Sequence, residues 1–211
     1  MDFFEVVRQR RSMRRFAADP VKEEDLRLML EAARLAPSAG NVQPWRFIVI
    51  RDIELKEKLK DVVEASFAGQ VEAAEEKLKE KLERLHFYTT FFAQAPVVIA
   101  VATHPLPPEP PIVHPKKSKT FWGPHNSFRG YYSPGLQSVG AAIAHLLLAA
   151  TDLGYGGCWA TLPLDFARQE LEALLEIKSP WFLTALVAVG VPAEAPPPRP
   201  RKPLEEIVSF K

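Results

Sequence analysis

The sequence predicts an α+β sandwich with helices on both faces of one mixed, largely antiparallel sheet. Three observations carry that reading. Apolar residues recur at three- and four-residue spacing over long stretches, as at Leu55, Leu59, Val62, Val63, Phe67 and Val71, the period of a helix with one buried face. Between such stretches lie short runs rich in β-branched and aromatic residues, the composition of strands. One of them, Pro96-Val97-Val98-Ile99-Ala100-Val101-Ala102, is apolar almost throughout, as in a sheet covered on both faces.

In chain order, Phe3, Phe4, Val6 and Val7 suggest a short helix whose apolar side packs and whose last turn becomes basic, an arrangement the helix dipole favours. Asp19-Pro20 followed by Glu23, Glu24 and Asp25 marks a helix start. That helix runs from about Lys22 to Leu35, buries Leu26, Met29, Leu30, Ala33 and Leu35, and is ended by Pro37. Arg46 to Ile50 forms a strand stopped by Arg51-Asp52. Leu55 to Phe87 gives one amphipathic helix or two, with Gly69 as the expected break. Ser138 to Ala150 is apolar on every side except at His145, which predicts a helix buried all round, in the core or across a subunit contact. His145 itself suits a hydrogen-bonded imidazole. Gly154-Tyr155-Gly156-Gly157 reads as a helix exit and tight turn. After it come a strand at Cys158 to Leu162, a helix from Asp165 to Ile177 and a last buried strand from Phe182 to Val189.

Bulk properties narrow the function. A chain of 211 residues suits a single domain, residues 1–211, that buries roughly 70% of its unfolded surface. A net charge of +1 from 27 basic and 26 acidic residues argues against a nucleic-acid binder. The lone cysteine, Cys158, allows no internal disulfide, and the start of the chain lacks signal-peptide character, so a reducing cytoplasm is expected. The apolar segment Val139 to Ala150 is shorter than the roughly 20 residues of a membrane span, and none is expected. Residues 104–135 hold eight prolines, His104, His114 and His125, and the aromatics Phe121, Trp122, Phe128, Tyr131 and Tyr132 without periodicity. This is the composition of a lid or extension. Its histidines lack the spacing and partners of a metal site, and the chain shows no nucleophile elbow, P-loop or dinucleotide fingerprint.

The chemistry must therefore lie elsewhere. Ala36-Pro37-Ser38-Ala39-Gly40-Asn41-Val42-Gln43-Pro44-Trp45 places Ser38, Asn41 and Gln43 between two prolines, leaving backbone amides that a helix or ladder cannot use. Turn capping and ligand binding are both open to these side chains. Arg10, Arg11, Ser12, Arg14 and Arg15 form one cationic cluster and Arg199, Arg201 and Lys202 a second. Brought together by the fold, the two would make an anion site, because guanidinium forks match phosphate.

Four segments, Arg10-Arg11-Ser12-Met13-Arg14-Arg15-Phe16, Ala36 to Phe47, Leu153 to Trp159, and Gly190-Val191-Pro192 with Arg199-Pro200-Arg201-Lys202-Pro203-Leu204, together resemble the FMN-dependent nitroreductase family, in order and from end to end. The resemblance implies a nitroreductase-like three-layer sandwich and a homodimer with one FMN per subunit at the interface. It implies that Arg10, Arg11, Ser12 and Arg14 hold the phosphate with Arg201, Arg199 assisting. Pro37, Ser38, Ala39, Asn41 and Gln43 would reach the flavin from the other subunit. Backbone groups of Trp159, Ala160 and Thr161 would face its reactive edge, although the family often has glycine where this chain has Thr161. It further implies that a cofactor carries the chemistry, with no catalytic side chain and no metal. The expected reaction is ping-pong hydride transfer from NADH or NADPH to a small planar acceptor, a nitroaromatic, quinone, flavin or enone. The alternatives are a flavin carrier or sensor without turnover, a specialised superfamily activity such as flavin fragmentation or dehalogenation, and a plain anion-binding module.

Overall fold

The computed structural model describes residues 1–105, 134–194 and 196–211. The expected lid, with its five aromatics, His114 and His125, falls outside them except at its ends. The described elements are α1 (Phe3–Gln9), α2 (Glu23–Arg34), β1 (Trp45–Ile50), α3 (Ile53–Ala73), α4 (Glu76–Thr90), β2 (Val97–Thr103), α5 (Pro134–Asp152), β3 (Gly156–Ala160), α6 (Leu162–Leu174) and β4 (Phe182–Gly190).

The four strands make one sheet in the order β1-β2-β4-β3, every neighbouring pair antiparallel. The parallel component expected of a mixed sheet is limited to an isolated bridge between Ser12 and Gly157. The central strand β2 is buried at every position, so its alternate residues enter two different cores. Val97, Ile99 and Val101 pack with α2 and α5 through Leu26, Met29, Val139, Ile143 and Leu146. Val98 and Ala100 pack on the opposite side with α3 and α6 through Leu59, Val63, Leu164 and Leu171. These are the three layers. In β4 the register shifts beside Val101/Ala102. The bulge turns Leu183 to the same side as Leu186 and Ala188, because one extra residue inverts the alternation.

Several expectations need correction. Gly69 does not break a helix: it lies inside α3, and the interruption falls at Ala74 and Glu75. Nothing lies within 4 Å of a Cβ built on Gly69, so neither a turn nor a close contact requires glycine there. Gly156 and Gly157 begin β3 rather than a turn; only Gly154, with φ of 86°, forms the left-handed exit of α5. The strand ends at Ala160 and α6 starts at Leu162, earlier than Asp165. α5 is longer than expected, 19 residues, and by length and mean hydropathy of 1.2 could cross a membrane. One side of it, including Val139, Ala142, Ile143 and Leu146, is packed in the core, whereas Gln137 and Ala144 are exposed. It is thus a core helix with one open face, not a helix buried all round. α1 buries only Val6 and leaves Phe3 and Phe4 about two-thirds exposed, at 65% and 66%, and Leu35, expected on the buried side of α2, is also exposed because it lies past the helix's last turn.

Polar anchors fix the layers. Asp2 Oδ1 accepts the amides of Phe4 and Glu5 at 2.9 and 3.1 Å, and Asp52 Oδ1 those of Glu54 and Leu55 at 2.8 and 3.3 Å, each satisfying amides a helix start leaves free. The Tyr155 hydroxyl donates to Asp25 at 2.7 Å and accepts from the Lys22 amide at 3.4 Å, tying the start of α2 to β3. Lys56 is buried, its ammonium donating to Ala95 O at 2.7 Å, and burial pushes its pKa down. The His145 ring pairs with Ala32 O at 3.3 Å, the bonded imidazole the sequence suggests.

Two glycines give opposite tests of this packing. Gly69→Ala adds helix propensity in open space and is expected to raise stability by about 0.5 to 1 kcal/mol. Gly190→Ala forces a Cβ to 2.6 Å from Pro96 Cδ and is expected to lower it by about 1 to 3 kcal/mol. Urea denaturation of both variants checks the pair.

Candidate cofactor site

The first site segment is held by the sheet edge. Met13 N donates to Gly157 O at 3.0 Å beside the Ser12–Gly157 bridge. The chain then crosses to the exit of β4, where Ala17 N donates to Val191 O at 2.9 Å and Ala193 N to Arg15 O at 3.1 Å, with Phe16 bridged to Pro192. This close pairing requires small residues opposite. A Cβ on Gly156 would meet Met13 Cγ at 2.4 Å, and one on Gly157 would meet Leu147 Cδ2 at 2.6 Å.

Because the C-terminal segment leaves from the strand end to which residues 15–17 are stitched, the two arginine clusters meet. Arg10, Arg11, Ser12, Arg14, Arg199 and Arg201 line one cavity of about 320 Å³ with Pro196 and Pro197. Five arginines and a serine line it, and among the described residues no carboxylate does. Among the described residues none of these five arginines has an acidic partner, whereas Arg15 points outward to Glu194 at 3.6 Å. Arg11 is partly engaged already: its guanidinium donates to the carbonyls of Arg8 and Arg10 at the end of α1. Arg14 is half-buried, and its Nε is buried with no hydrogen-bond partner among the described residues.

Cys158 lies behind this wall. Burial pushes its thiol up, with Arg14, the Ser12 hydroxyl and Arg10 pulling weakly the other way. A protonated, buried thiol is a poor nucleophile. Among the described residues no cluster of His, Cys, Asp and Glu could hold a metal ion.

The other expected residues lie apart from the arginine cavity of their own chain. Ser38 Oγ accepts the Gln43 amide at 3.0 Å, and Ser138 Oγ accepts the Ala39 amide at 3.1 Å while donating to Pro134 O at 2.7 Å. Gly40, Asn41 and Gln43 all have positive φ, 58°, 55° and 52°, so the loop is tightly coiled and pinned to the start of α5. The Gln43 amide group turns onto Asn41 O at 3.3 Å. Pro37, Asn41 and Gln43 stay exposed, and Ser38 and Ala39 are half-buried. Trp159 is 39% exposed at the edge of β3 with Ala160 buried beside it, and Thr161 precedes α6 without capping it. What sequence reasoning missed is the aromatic surround of Arg14: its guanidinium carbon lies 5.1 Å from the Tyr88 ring centroid and 5.7 Å from that of Phe91. The helical spacing of α4 gives no sign of it, because these residues meet Arg14 only in three dimensions.

With this geometry in place, the comparisons with known proteins agree with one another. The nitroreductase family model matches residues 7–191. Iodotyrosine deiodinase of Thermotoga neapolitana is 30% identical over 97% of this chain and 95% of its own length. The NADH dehydrogenase of Thermus thermophilus is 33% identical over 96% of this chain and 93% of its own. Among solved structures, a BluB-like flavoprotein from Clostridium difficile is 34% identical with a TM-score of 0.85, covering 100% of this chain and 99% of that one. An iodotyrosine deiodinase bound to FMN and 3-iodo-L-tyrosine is 28% identical with a TM-score of 0.70, covering 99% and 97%. The likeness spans close to the full length of this chain and of each relative, and the chain belongs to the nitroreductase family of oxidoreductases.

Proposed function

We propose that this protein is an FMN-dependent NAD(P)H oxidoreductase acting on a small, planar acceptor, with the flavin between two copies of the chain. The observation that carries the proposal is the carboxylate-free cavity where Arg10, Arg11, Ser12 and Arg14 meet Arg199 and Arg201. A cluster of guanidiniums without counter-charges is destabilising unless an anion completes it, and a phosphate monoester offers the matching charge and acceptors. The buried, unpartnered Nε of Arg14 is a donor such a ligand can satisfy. The named relatives include a flavoprotein and an FMN-bound enzyme, which favours the flavin over a free anion.

A bound flavin would supply the hydride chemistry between a reduced nicotinamide and the acceptor. The chain's own residues hold and orient it. Arg10, Arg14 and Arg201 clamp the phosphate, Ser12 donates a hydroxyl and Arg199 assists. Backbone groups at Trp159, Ala160 and Thr161 lie at the adjoining strand end and would face the ring. Pro37, Ser38, Ala39, Asn41 and Gln43 lie outside the chain's own arginine cavity, which suits a contribution from a second copy. That second copy is further supported by apolar surface the described residues leave uncovered: Phe3 and Phe4 on α1, and Ile207 and Phe210, 65% and 94% exposed, in the C-terminal segment. The deiodinase relatives, and the 3-iodo-L-tyrosine bound by one of them, favour reductive dehalogenation as a second reading of the acceptor step.

Three outcomes are expected. Acid-released cofactor, separated by chromatography, is FMN; replacing Arg10, Arg14 or Arg201 with alanine weakens its binding by about 1.5 to 3 kcal/mol each, whereas recovery of FAD refutes the site. Light scattering gives a dimer whenever flavin is bound, and a flavin-loaded monomer contradicts the shared site. Steady-state assays with NADH or NADPH against a nitroaromatic, a quinone, free flavin and 3-iodotyrosine give parallel double-reciprocal lines for the accepted substrate, while intersecting lines argue against a single shared face.

A further inference from the structure

Arg14 differs from the other cations of the cavity in what holds it. No carboxylate among the described residues pairs with it, and its Nε is buried without a partner. Its guanidinium instead faces two rings: Tyr88 on the last turn of α4, with centroid at 5.1 Å, and Phe91 just beyond it, at 5.7 Å. Phe91 is fixed in the core at 2% exposed, and Phe87 braces both rings, with centroids 5.6 Å from Tyr88 and 6.1 Å from Phe91. The rings form a wall anchored in the core by Phe91, with Tyr88 and Phe87 at its open rim, 39% and 37% exposed.

The physical difference between a ring and a carboxylate decides what this wall does. A carboxylate would hold the guanidinium and cancel its charge. A ring face attracts the cation through its quadrupole and leaves the full charge in place. It also restricts a long side chain that would otherwise lose rotamer entropy on binding. We propose that Tyr88, with Phe91, is a positioning residue of the anion site: it pre-orients Arg14 while keeping its charge available to the ligand. This rests on reading the cavity as a phosphate site, and it couples that site through Arg14 to α4, none of whose described residues lines the cavity.

The test is a mutant cycle on full-length protein stripped of bound ligand, comparing wild type, Tyr88→Leu, Tyr88→Phe, Arg14→Ala and the Tyr88→Leu/Arg14→Ala double variant. FMN and riboflavin are titrated by fluorescence and inorganic pyrophosphate by calorimetry. Tyr88→Leu is expected to weaken FMN about tenfold, equivalent to about 1.4 kcal/mol, and to leave riboflavin within about twofold. Tyr88→Phe restores the FMN affinity because the ring face is kept, and Tyr88→Leu has no further effect once Arg14 is gone. An equal loss for riboflavin, the same loss in the Arg14→Ala background, or no loss at all overturns the proposal. If wild type takes pyrophosphate but not FMN, the flavin assignment fails and the same cycle read with pyrophosphate decides the role of Tyr88. A wild-type cavity that takes neither anion overturns both.

Discussion

The site depends on one piece of backbone pairing: residues 12–17 run along the β3 edge and then stitch to the segment leaving β4, through Met13 N to Gly157 O, Ala17 N to Val191 O and Ala193 N to Arg15 O. That ribbon brings two cation clusters separated by most of the chain into one cavity. It can lie so close because Gly156 presents no side chain toward Met13 and Gly190 none toward Phe16, while Gly157 leaves the room that Leu147 of α5 occupies. Backbone hydrogen bonds of this kind contribute little individually. Together they fix the register, and a register fixed by both strands leaves Arg10, Ser12 and Arg14 no alternative direction.

The electrostatic cost of the arrangement falls on the arginines. Five guanidiniums share a cavity of about 320 Å³ without a lining carboxylate, so mutual repulsion opposes the fold until a ligand of opposite charge binds. The protein manages this in three ways. Arg11 spends donors on the carbonyl end of α1, Arg199 and Arg201 stay in solvent where screening is strong, and Arg14 rests on aromatic faces. Arg15 leaves the cluster for Glu194. Sequence spacing treats all these arginines alike; the structure separates them by what each one touches.

Much of this was legible because it rests on local rules. The acidic start of α2, the doubly covered apolar run of β2 and the final strand β4 follow from period and composition, and the convergence of the two basic clusters was a conditional expectation that the topology fulfils. The failures have physical causes. Gly69 reads as a breaker, yet α3 absorbs it because a single exposed glycine costs only about 1 kcal/mol against the rest of a 21-residue helix. Gly156 and Gly157 read as a turn, but their lack of Cβ serves close approach of another segment, a long-range demand that no local window contains. The exposed phenylalanines of α1 and the open face of α5 mislead because apolar periodicity marks a face as apolar without saying what, if anything, packs on it. Tyr88 was illegible for the same reason as Gly156: its partner lies 74 positions earlier in the sequence.

The central claim is that the arginine cavity holds the phosphate of the flavin, and the phosphorus resonance reports on it directly. A phosphate monoester ordinarily titrates at about pH 6, and a cage of guanidiniums should keep the bound group dianionic well below that. Phosphorus NMR of the FMN-loaded protein between pH 5 and 8 is therefore expected to show a bound resonance that does not move with pH, beside free FMN that does. A bound resonance that titrates like free FMN would contradict the account, because it would place the phosphate in solvent and leave the arginines without it.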